Sequence, residues 1–222
     1  MPNKLDFETT EHDDLRGGSA PWNFQATQPA WMRLDRDLSC DIVIVGAGIT
    51  GAIVAERLTR MNLNVCVVDR QKPSMGSTAA STAMLQWELD KSLTDLTDLY
   101  GFERAASIFH RSLAAANGLQ AQIRGLGISC QFRPRSSLYL AANEISASDL
   151  LAEHRIRERA GLPGVYLDHR TLMSEFGIAR EAAILSPGSS EADPVMLNRG
   201  FLDRAVERGA RIFEGTVSLR NR

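Results

Sequence analysis

Cysteine and histidine are scarce, and neither has the spacing that a covalent or metal-binding framework requires. The chain of 222 residues has three cysteines, Cys40, Cys66 and Cys130, and four histidines. Three is an odd number, no two cysteines form a CxxC pair, and no HExxH pattern connects the histidines. The sequence therefore predicts neither a disulfide framework nor a metal site, and it favours a reducing compartment, the cytoplasm.

Long apolar runs and an excess of charge of one sign are also lacking. The longest apolar run lies around Ile42–Val45, far below the roughly 20 residues that a membrane-spanning helix needs. Residues 1–38 are polar and lack the apolar core of a secretory signal peptide. The 25 basic and 27 acidic residues are mixed along the chain, with a net charge of −2. We therefore expect no membrane span, no signal peptide and no nucleic-acid partner.

Regular secondary structure is indicated soon after this polar opening. Hydrophobic residues make up 44% of the chain, enough for a buried core in one large domain or in one domain and part of another. The Ile- and Val-rich stretch 41–45 predicts the first central strand of a parallel sheet, covered on both faces. Small and apolar residues over 49–60 predict a helix with Asn62 as a left-handed cap, and a second strand is expected at 65–68.

Three glycines stand between the first strand and the helix, in the spacing of a nucleotide-binding turn. Gly46 permits a tight turn, Gly48 lets the backbone approach a diphosphate, and Gly51 lets the helix pack closely on the strand. Unpaired amides and the positive end of the helix dipole then face the phosphates. The segment therefore predicts a Rossmann-like βαβ unit that binds a dinucleotide. A glycine-rich turn that binds nothing is the alternative.

An acidic residue closes the second strand. Asp69 lies about 20 residues beyond the turn, where a carboxylate accepts hydrogen bonds from an adenosine ribose and repels a 2′-phosphate. This disfavours NADP and leaves NAD or FAD. The segment GSTAASTAML, 76–85, reads as a second helix start, which either follows the extended chain of a flavin nucleotide or packs its small residues against the sheet.

The rest of the chain divides into three predicted regions. Residues 1–40 form an arm, in which PWNFQATQPAWMRL supplies aromatic side chains that dock on the globular body. Residues 41–127 and 191–222 form the nucleotide-binding domain, with a core-facing helix at 102–125 and a helix and third strand within 193–217. Residues 128–190 form the beginning of an inserted α+β domain, with strands near 138–141, 165–167 and 183–185 and a helix at 149–160.

Taken together, DIVIVGAGITG, VCVVDR, GSTAASTAML and DPVMLNRGFLDRAVERGARIFEGTV resemble FAD-dependent oxidoreductases of the D-amino-acid oxidase type. Within that group the order of motifs looks most like gamma-glutamylputrescine oxidase and related enzymes. The resemblance implies FAD as cofactor and 128–190 as part of a substrate domain. It implies that the three glycines hold the FAD diphosphate, Asp69 holds the ribose, and the remaining contacts come from Ser77, Thr78, Ala83, Met84, Leu85 and Val217.

The activity implied by this resemblance is oxidation of a C–N bond in an amine or amino acid. Hydride transfer to the flavin carries the reaction in such enzymes, and the protein supplies orientation and electrostatics. No histidine lies in GSTAASTAMLQWELD, so FAD is expected to be bound noncovalently. We expect the chain to be an N-terminal portion, completed by a homo-oligomer or another chain, and we assign no catalytic residue. A truncated non-catalytic remnant and an NAD-dependent dehydrogenase are the alternatives.

Overall fold

Two β-sheets and six α-helices organise the part of the chain that the structure describes, and the first sheet is parallel. The computed structural model describes residues 20–22, 30–142 and 145–216. Strands β1 (Ile42–Val45), β2 (Val65–Val68) and β7 (Arg211–Phe213) run parallel in the order β1-β2-β7. Helix α1 (Ile49–Arg60) connects β1 to β2, and helix α6 (Pro194–Glu207) precedes β7. The predicted βαβ unit and its third strand are therefore confirmed.

Local signals set the limits of the two helices beside this sheet. Helix α1 ends as predicted, since Asn62 has a φ of 61° and its amide bonds back to Thr59 O. Asp193 caps the N-terminus of helix α6, where its carboxylate accepts hydrogen bonds from the amides of Val195 and Met196. Pro194 occupies the first turn, where its missing N–H costs no hydrogen bond.

The main core lies between these helices and one face of the first sheet. Alanines on α1 keep this helix close to the sheet, while α6 contributes large side chains such as Phe201. Burial of a side chain of that size stabilises the fold by about 1.5–3 kcal/mol. The fully buried members are Ala47, Ala52, Ala55, Val65, Val67, Phe201, Leu202 and Ala205.

The second sheet is antiparallel and is built around one long strand, β6 (Ala182–Glu191). Strand β4 (Arg133–Leu140) lies along one side of β6, while β3 (Met84–Leu85) and β5 (Val165–Asp168) pair with the two ends of its other side. Prediction placed strands near 138–141 and 183–185, so both are longer than expected. Pro187 cannot donate a hydrogen bond within β6. The pairing of β4 with β6 shifts in register opposite this proline, between Arg135 and Ser137.

Four helices pack around the second sheet: α2 (Leu93–Tyr100), α3 (Phe102–Gly125), α4 (Ala147–Arg159) and α5 (His169–Phe176). The predicted bounds of α3 are confirmed, and its apolar stripe is core. Phe109 is fully buried and meets Trp87 edge to face, with 6.3 Å between ring centres. The domain limits drawn from the sequence stay a prediction.

Two helices were missed, and one predicted helix start is wrong. Helix α2 begins with a capping box in which Ser92 and Asp95 exchange hydrogen bonds, and Asp168 caps the N-terminus of α5. The segment 76–85 forms turns followed by β3 instead of a helix. Ser74, just before the segment, has a φ of 72°, and Ala83, within it, has a φ of 65°. Both are left-handed backbone conformations, which a right-handed helix does not contain.

The prediction that β1 is a central strand is wrong for the described residues. Its one hydrogen-bonded neighbour there is β2, and β1 lies at the edge of the sheet. The expectation that both faces are covered fails as well, since Val43 is 56% exposed and Val45 68% exposed. Val43 and Val45 alternate with the half-buried Ile42 and Ile44, which is the pattern of a strand covered on one face.

The arm before β1 docks on the globular body, as predicted. Trp31 packs against the main core and lies under the guanidinium of Arg199, 4.6 Å from the ring centre. Two hydrogen bonds join the arm to the loop after β7: the amide of Glu214 donates to Met32 O, and the amide of Leu34 donates to the hydroxyl of Thr216. Phe24, the other aromatic between the two tryptophans of the arm, lies outside the described residues. No described helix is long and apolar enough to cross a membrane.

Candidate functional site

The glycine turn stands at the carboxyl end of β1, and each glycine has a separate physical reason. Gly46 has a φ of +105°, which L side chains rarely adopt. A Cβ on Gly51 would stand 1.9 Å from Gly46 O, so α1 reaches the strand only because this residue has no side chain. A Cβ on Gly48 would meet Thr78 Oγ1 at 3.1 Å, across the gap between the turn and the next loop.

Asp69 holds the glycine turn from the end of β2. One carboxylate oxygen accepts a hydrogen bond from the amide of Ala47 at 2.7 Å, and the other accepts from the amide of Gln71 at 2.9 Å. A carboxylate has about four lone-pair sites, so this side chain keeps capacity for further donors. Asp69 lines the cleft beside the turn, where sequence reasoning expected a ribose.

Thr78 closes the opposite side of the gap. Its side chain is buried, and Oγ1 accepts a hydrogen bond from the amide of Ile49 at 3.0 Å. This contact satisfies one of the orphan amides in the first turn of α1. A threonine hydroxyl that accepts one bond still has its own proton to donate, so Thr78 can also face an anion in the cleft.

Two cavities adjoin at Ser77 and Thr78, which line both of them. The larger cleft, about 480 Å³, runs from the glycine turn past the end of β2 to the loop after β7, and its lining includes Gly46, Gly48, Asp69 and Thr216. The smaller pocket, about 160 Å³, is mainly apolar and is lined by residues such as Ile49, Ala83, Leu85 and Leu197. A polar cavity therefore lies next to an apolar one, an arrangement that suits an elongated ligand with a polar end and an apolar end.

The structure brings most of the predicted contact residues to these two cavities. Ser77 and Thr78 lie at the junction, and Ala83 and Leu85 line the smaller pocket. Met84 does not line either cavity; it is 46% exposed and pairs with Glu191 across the second sheet. Val217 lies outside the described residues. Gly51 supports the turn through helix packing and does not line the cleft.

Several residues of the cleft were missed by sequence reasoning. Arg70 and Gln71 follow Asp69 directly, and their position after the strand could have indicated them. Ser74 also lines the cleft, but its approach depends on a left-handed backbone at a serine, which no local pattern predicts. Thr216 reaches the cleft because β7 is adjacent to β2, a pairing that only the sheet order defines.

The cleft fits the diphosphate of a dinucleotide such as FAD. Its volume lies in the range of about 300–1,000 Å³ typical of small-molecule sites. The N-terminus of α1 directs amides and a positive dipole end toward it. A side chain at Gly48 would fill the gap opposite Thr78, so the present residue leaves room where the phosphates of a dinucleotide would pass.

Comparison with known proteins agrees with this geometry. The model of the DAO family, described as FAD dependent oxidoreductase, matches residues 41–222. The chain is 24% identical over 200 residues to YhfW of Bacillus subtilis (strain 168), which carries a provisional name as a Rieske 2Fe-2S iron–sulfur protein. This match covers 89% of the chain and 38% of YhfW. The chain is also 23% identical to gamma-glutamylputrescine oxidoreductase of Escherichia coli (strain K12), over 82% of the chain and 43% of that protein.

A solved structure supports the same fold. Glycine oxidase from Geobacillus kaustophilus superimposes with a TM-score of 0.67 at 20% identity, over 79% of the chain and 46% of that structure. The chain thus spans less than half the length of each of these relatives. Because the family match extends over most of the sequence and includes the glycine turn, the chain belongs to the DAO family of FAD-dependent oxidoreductases.

Proposed function

We propose that the chain binds FAD noncovalently in the cleft beside the glycine turn and forms the cofactor-binding part of an oxidoreductase that oxidises a C–N bond of an amine or amino acid. The observation that carries this proposal is the gap between Gly48 and Thr78 at the N-terminus of α1, with Asp69 at its side. The names of two relatives, gamma-glutamylputrescine oxidoreductase and glycine oxidase, support the substrate class.

In this proposal, different residues of the cleft contact different parts of the cofactor. The turn at Gly46 and Gly48, with the first amides of α1, holds the diphosphate. Asp69 accepts hydrogen bonds from the adenosine ribose with the lone pairs that Ala47 and Gln71 leave free. Val217, just after Thr216, would meet the adenine.

The junction and the smaller pocket hold the other half of the cofactor. Ser77 and Thr78 offer hydroxyl groups at the point where the two cavities meet, which suits the polar chain between diphosphate and flavin. Ala83 and Leu85 present apolar surfaces toward the flavin, and Met84 supports them as part of strand β3 without lining the pocket. When bound, FAD supplies the two-electron oxidation chemistry, while these residues bind and orient it.

Absorbance of the purified chain tests the proposal directly. The visible spectrum is recorded before FAD is added, and again after FAD is added and excess cofactor is removed on a desalting column. We expect flavin bands in about a one-to-one ratio with protein, and their loss in Gly48→Val under the same treatment. Soluble folded chain that retains no flavin would overturn the proposed cofactor role and favour a non-catalytic remnant. Retained flavin justifies a screen of amines and amino acids for flavin reduction without oxygen.

A further inference from the structure

Asn198 connects helix α6 to the glycine turn, although 151 residues separate it from the turn in sequence. Its side chain is fully buried, and Nδ2 donates hydrogen bonds to Ala47 O at 3.1 Å and to Ser74 Oγ at 2.6 Å. An amide has two N–H groups, so both donors are used. A buried side chain with this geometry fixes the distance between its two partners.

Ala47 is held at both of its backbone groups as a result. Its amide donates to Asp69 at 2.7 Å, and its carbonyl accepts from Asn198 at 3.1 Å and, in a longer bond of 3.4 Å, from the amide of Ser74. Ala47 is itself fully buried and stands between Gly46 and Gly48. The one non-glycine residue between Gly46 and Gly48 is therefore fixed by the side chains of Asp69, just after β2, and Asn198 on α6.

Ser74 belongs to the opposite wall of the cleft. It lines the cavity, and its φ of 72° is a conformation that costs a non-glycine residue free energy. Its carbonyl accepts a bond from the amide of Ala79, which follows Thr78 directly. The hydrogen bond from Asn198 therefore reaches both the turn and the loop that leads to Thr78.

We propose that Asn198 is a positioning residue for the cofactor cleft, which sets the spacing between the Gly46–Gly48 turn and the Ser74–Thr78 wall. This inference rests on the proposed placement of FAD in that cleft. Affinity rises when a site is held in its bound geometry before the ligand arrives. Loss of the two Asn198 hydrogen bonds should therefore reduce the affinity for FAD more than it reduces the stability of the fold.

Asn198→Leu tests the inference, since leucine has a similar volume and no donor. We expect the Kd for FAD, measured by quenching of flavin fluorescence, to rise about tenfold or more. Leu202→Ala is the matched control, because Leu202 is fully buried one turn further along α6 and packs in the same core, while its side chain has no group that could hydrogen-bond to the turn. It should lower the melting temperature at least as much and leave the Kd unchanged.

Two results would overturn the inference: an unchanged Kd in Asn198→Leu, or Kd changes that follow the loss of melting temperature in both variants. A double-mutant cycle with Ser74→Ala locates the effect, since the two changes should be clearly non-additive if Asn198 acts through Ser74. Full additivity would remove Ser74 from the proposal. Asn198→Ala replaces the leucine variant if that variant does not fold.

Hydrogen exchange separates failure of this inference from failure of the cofactor proposal. In protein without FAD, Asn198→Leu should speed amide exchange in the peptide 72–79 at least severalfold, while Leu202→Ala should not do so selectively. If the natural sequence retains no flavin, the cofactor role is wrong and this exchange measurement alone decides the role of Asn198. Equal exchange in both variants would overturn it.

Discussion

The glycines of the turn serve binding and folding separately, and two substitutions should distinguish these roles. Gly48 has an ordinary φ of −77°, and a side chain there meets Thr78. Gly48→Val should therefore abolish FAD binding while most of the fold persists. Gly51→Ala would place a methyl group 1.9 Å from a backbone oxygen, and we expect a loss of about 3 kcal/mol in the free energy of unfolding.

Denaturant unfolding and flavin retention, measured on both variants, check this pair. A Gly48→Val chain that keeps its flavin would remove the turn from the cofactor site. A Gly51→Ala chain as stable as the natural sequence would show that α1 can move away from β1 without cost.

Asp69 gives a second prediction at a single residue. Asp69→Ala removes the acceptor for the amides of Ala47 and Gln71 together with the proposed ribose contact. FAD binding should weaken by roughly 1.5–3 kcal/mol, the worth of a charge-assisted hydrogen bond. Asp41→Ala is the control, because Asp41 accepts from the amide of Asn64 near the opposite end of the strands. Equal affinities for FAD in the two variants would exclude a direct role for Asp69.

Among the secondary-structure elements, helix α2 depends on a buried charge from α4. Glu153 is only 3% exposed and accepts hydrogen bonds from the amides of Leu93 and Thr94 at the first turn of α2. It also pairs with Arg157 at 2.7 Å. Burial raises the pKa of Glu153, but the bonds from Thr94 and Arg157 outweigh it and hold the pKa below its ordinary value.

The sign of this pKa shift predicts a pH-dependent stability. A carboxylate whose pKa is lowered by folding stabilises the folded state above its unfolded pKa, about 4.3, and the contribution is lost as pH falls through the lower folded value. Glu153→Gln should cost about 3 kcal/mol at pH 7, because it leaves Arg157 without its closest partner. The cost should shrink at acid pH.

Urea unfolding at pH 7 and at successively lower pH checks this prediction, with Glu158→Gln as the control on an exposed residue of the same helix. Glu158→Gln should change stability little at any pH. A cost for Glu153→Gln that is the same at every pH would show that the charge of Glu153 is not what stabilises α2.

The elements that could be predicted are those whose signals are local. The strand, glycine turn and helix through Arg60 follow from periodicity and glycine spacing, and α3 follows from its apolar stripe. The capping box that starts α2 was also local and was overlooked. In contrast, the turns at 76–82 and the contact of Asn198 with Ala47 depend on partners far away in sequence. No local propensity specifies such contacts, so the opposite wall of the cleft could not be predicted.

For the molecule as a whole, the exposed edge of the first sheet is the feature that predicts behaviour in solution. Strand β1 has β2 as its one neighbour among the described residues, and Val43 is 56% exposed. An exposed apolar strand edge is a template for pairing with another chain. We therefore expect the isolated chain to self-associate through β1. Val43→Lys should shift it toward monomer, since a charge on an edge strand opposes such pairing.

Sedimentation velocity over a range of concentrations measures this shift. Met61→Lys is the matched control, since Met61 is 60% exposed but follows α1 and lies on no strand. Self-association that falls in Val43→Lys and persists in Met61→Lys assigns the contact to the β1 edge. If both variants lower it equally, added charge alone is responsible. If neither variant lowers it, the β1 edge is not the surface through which the chain self-associates.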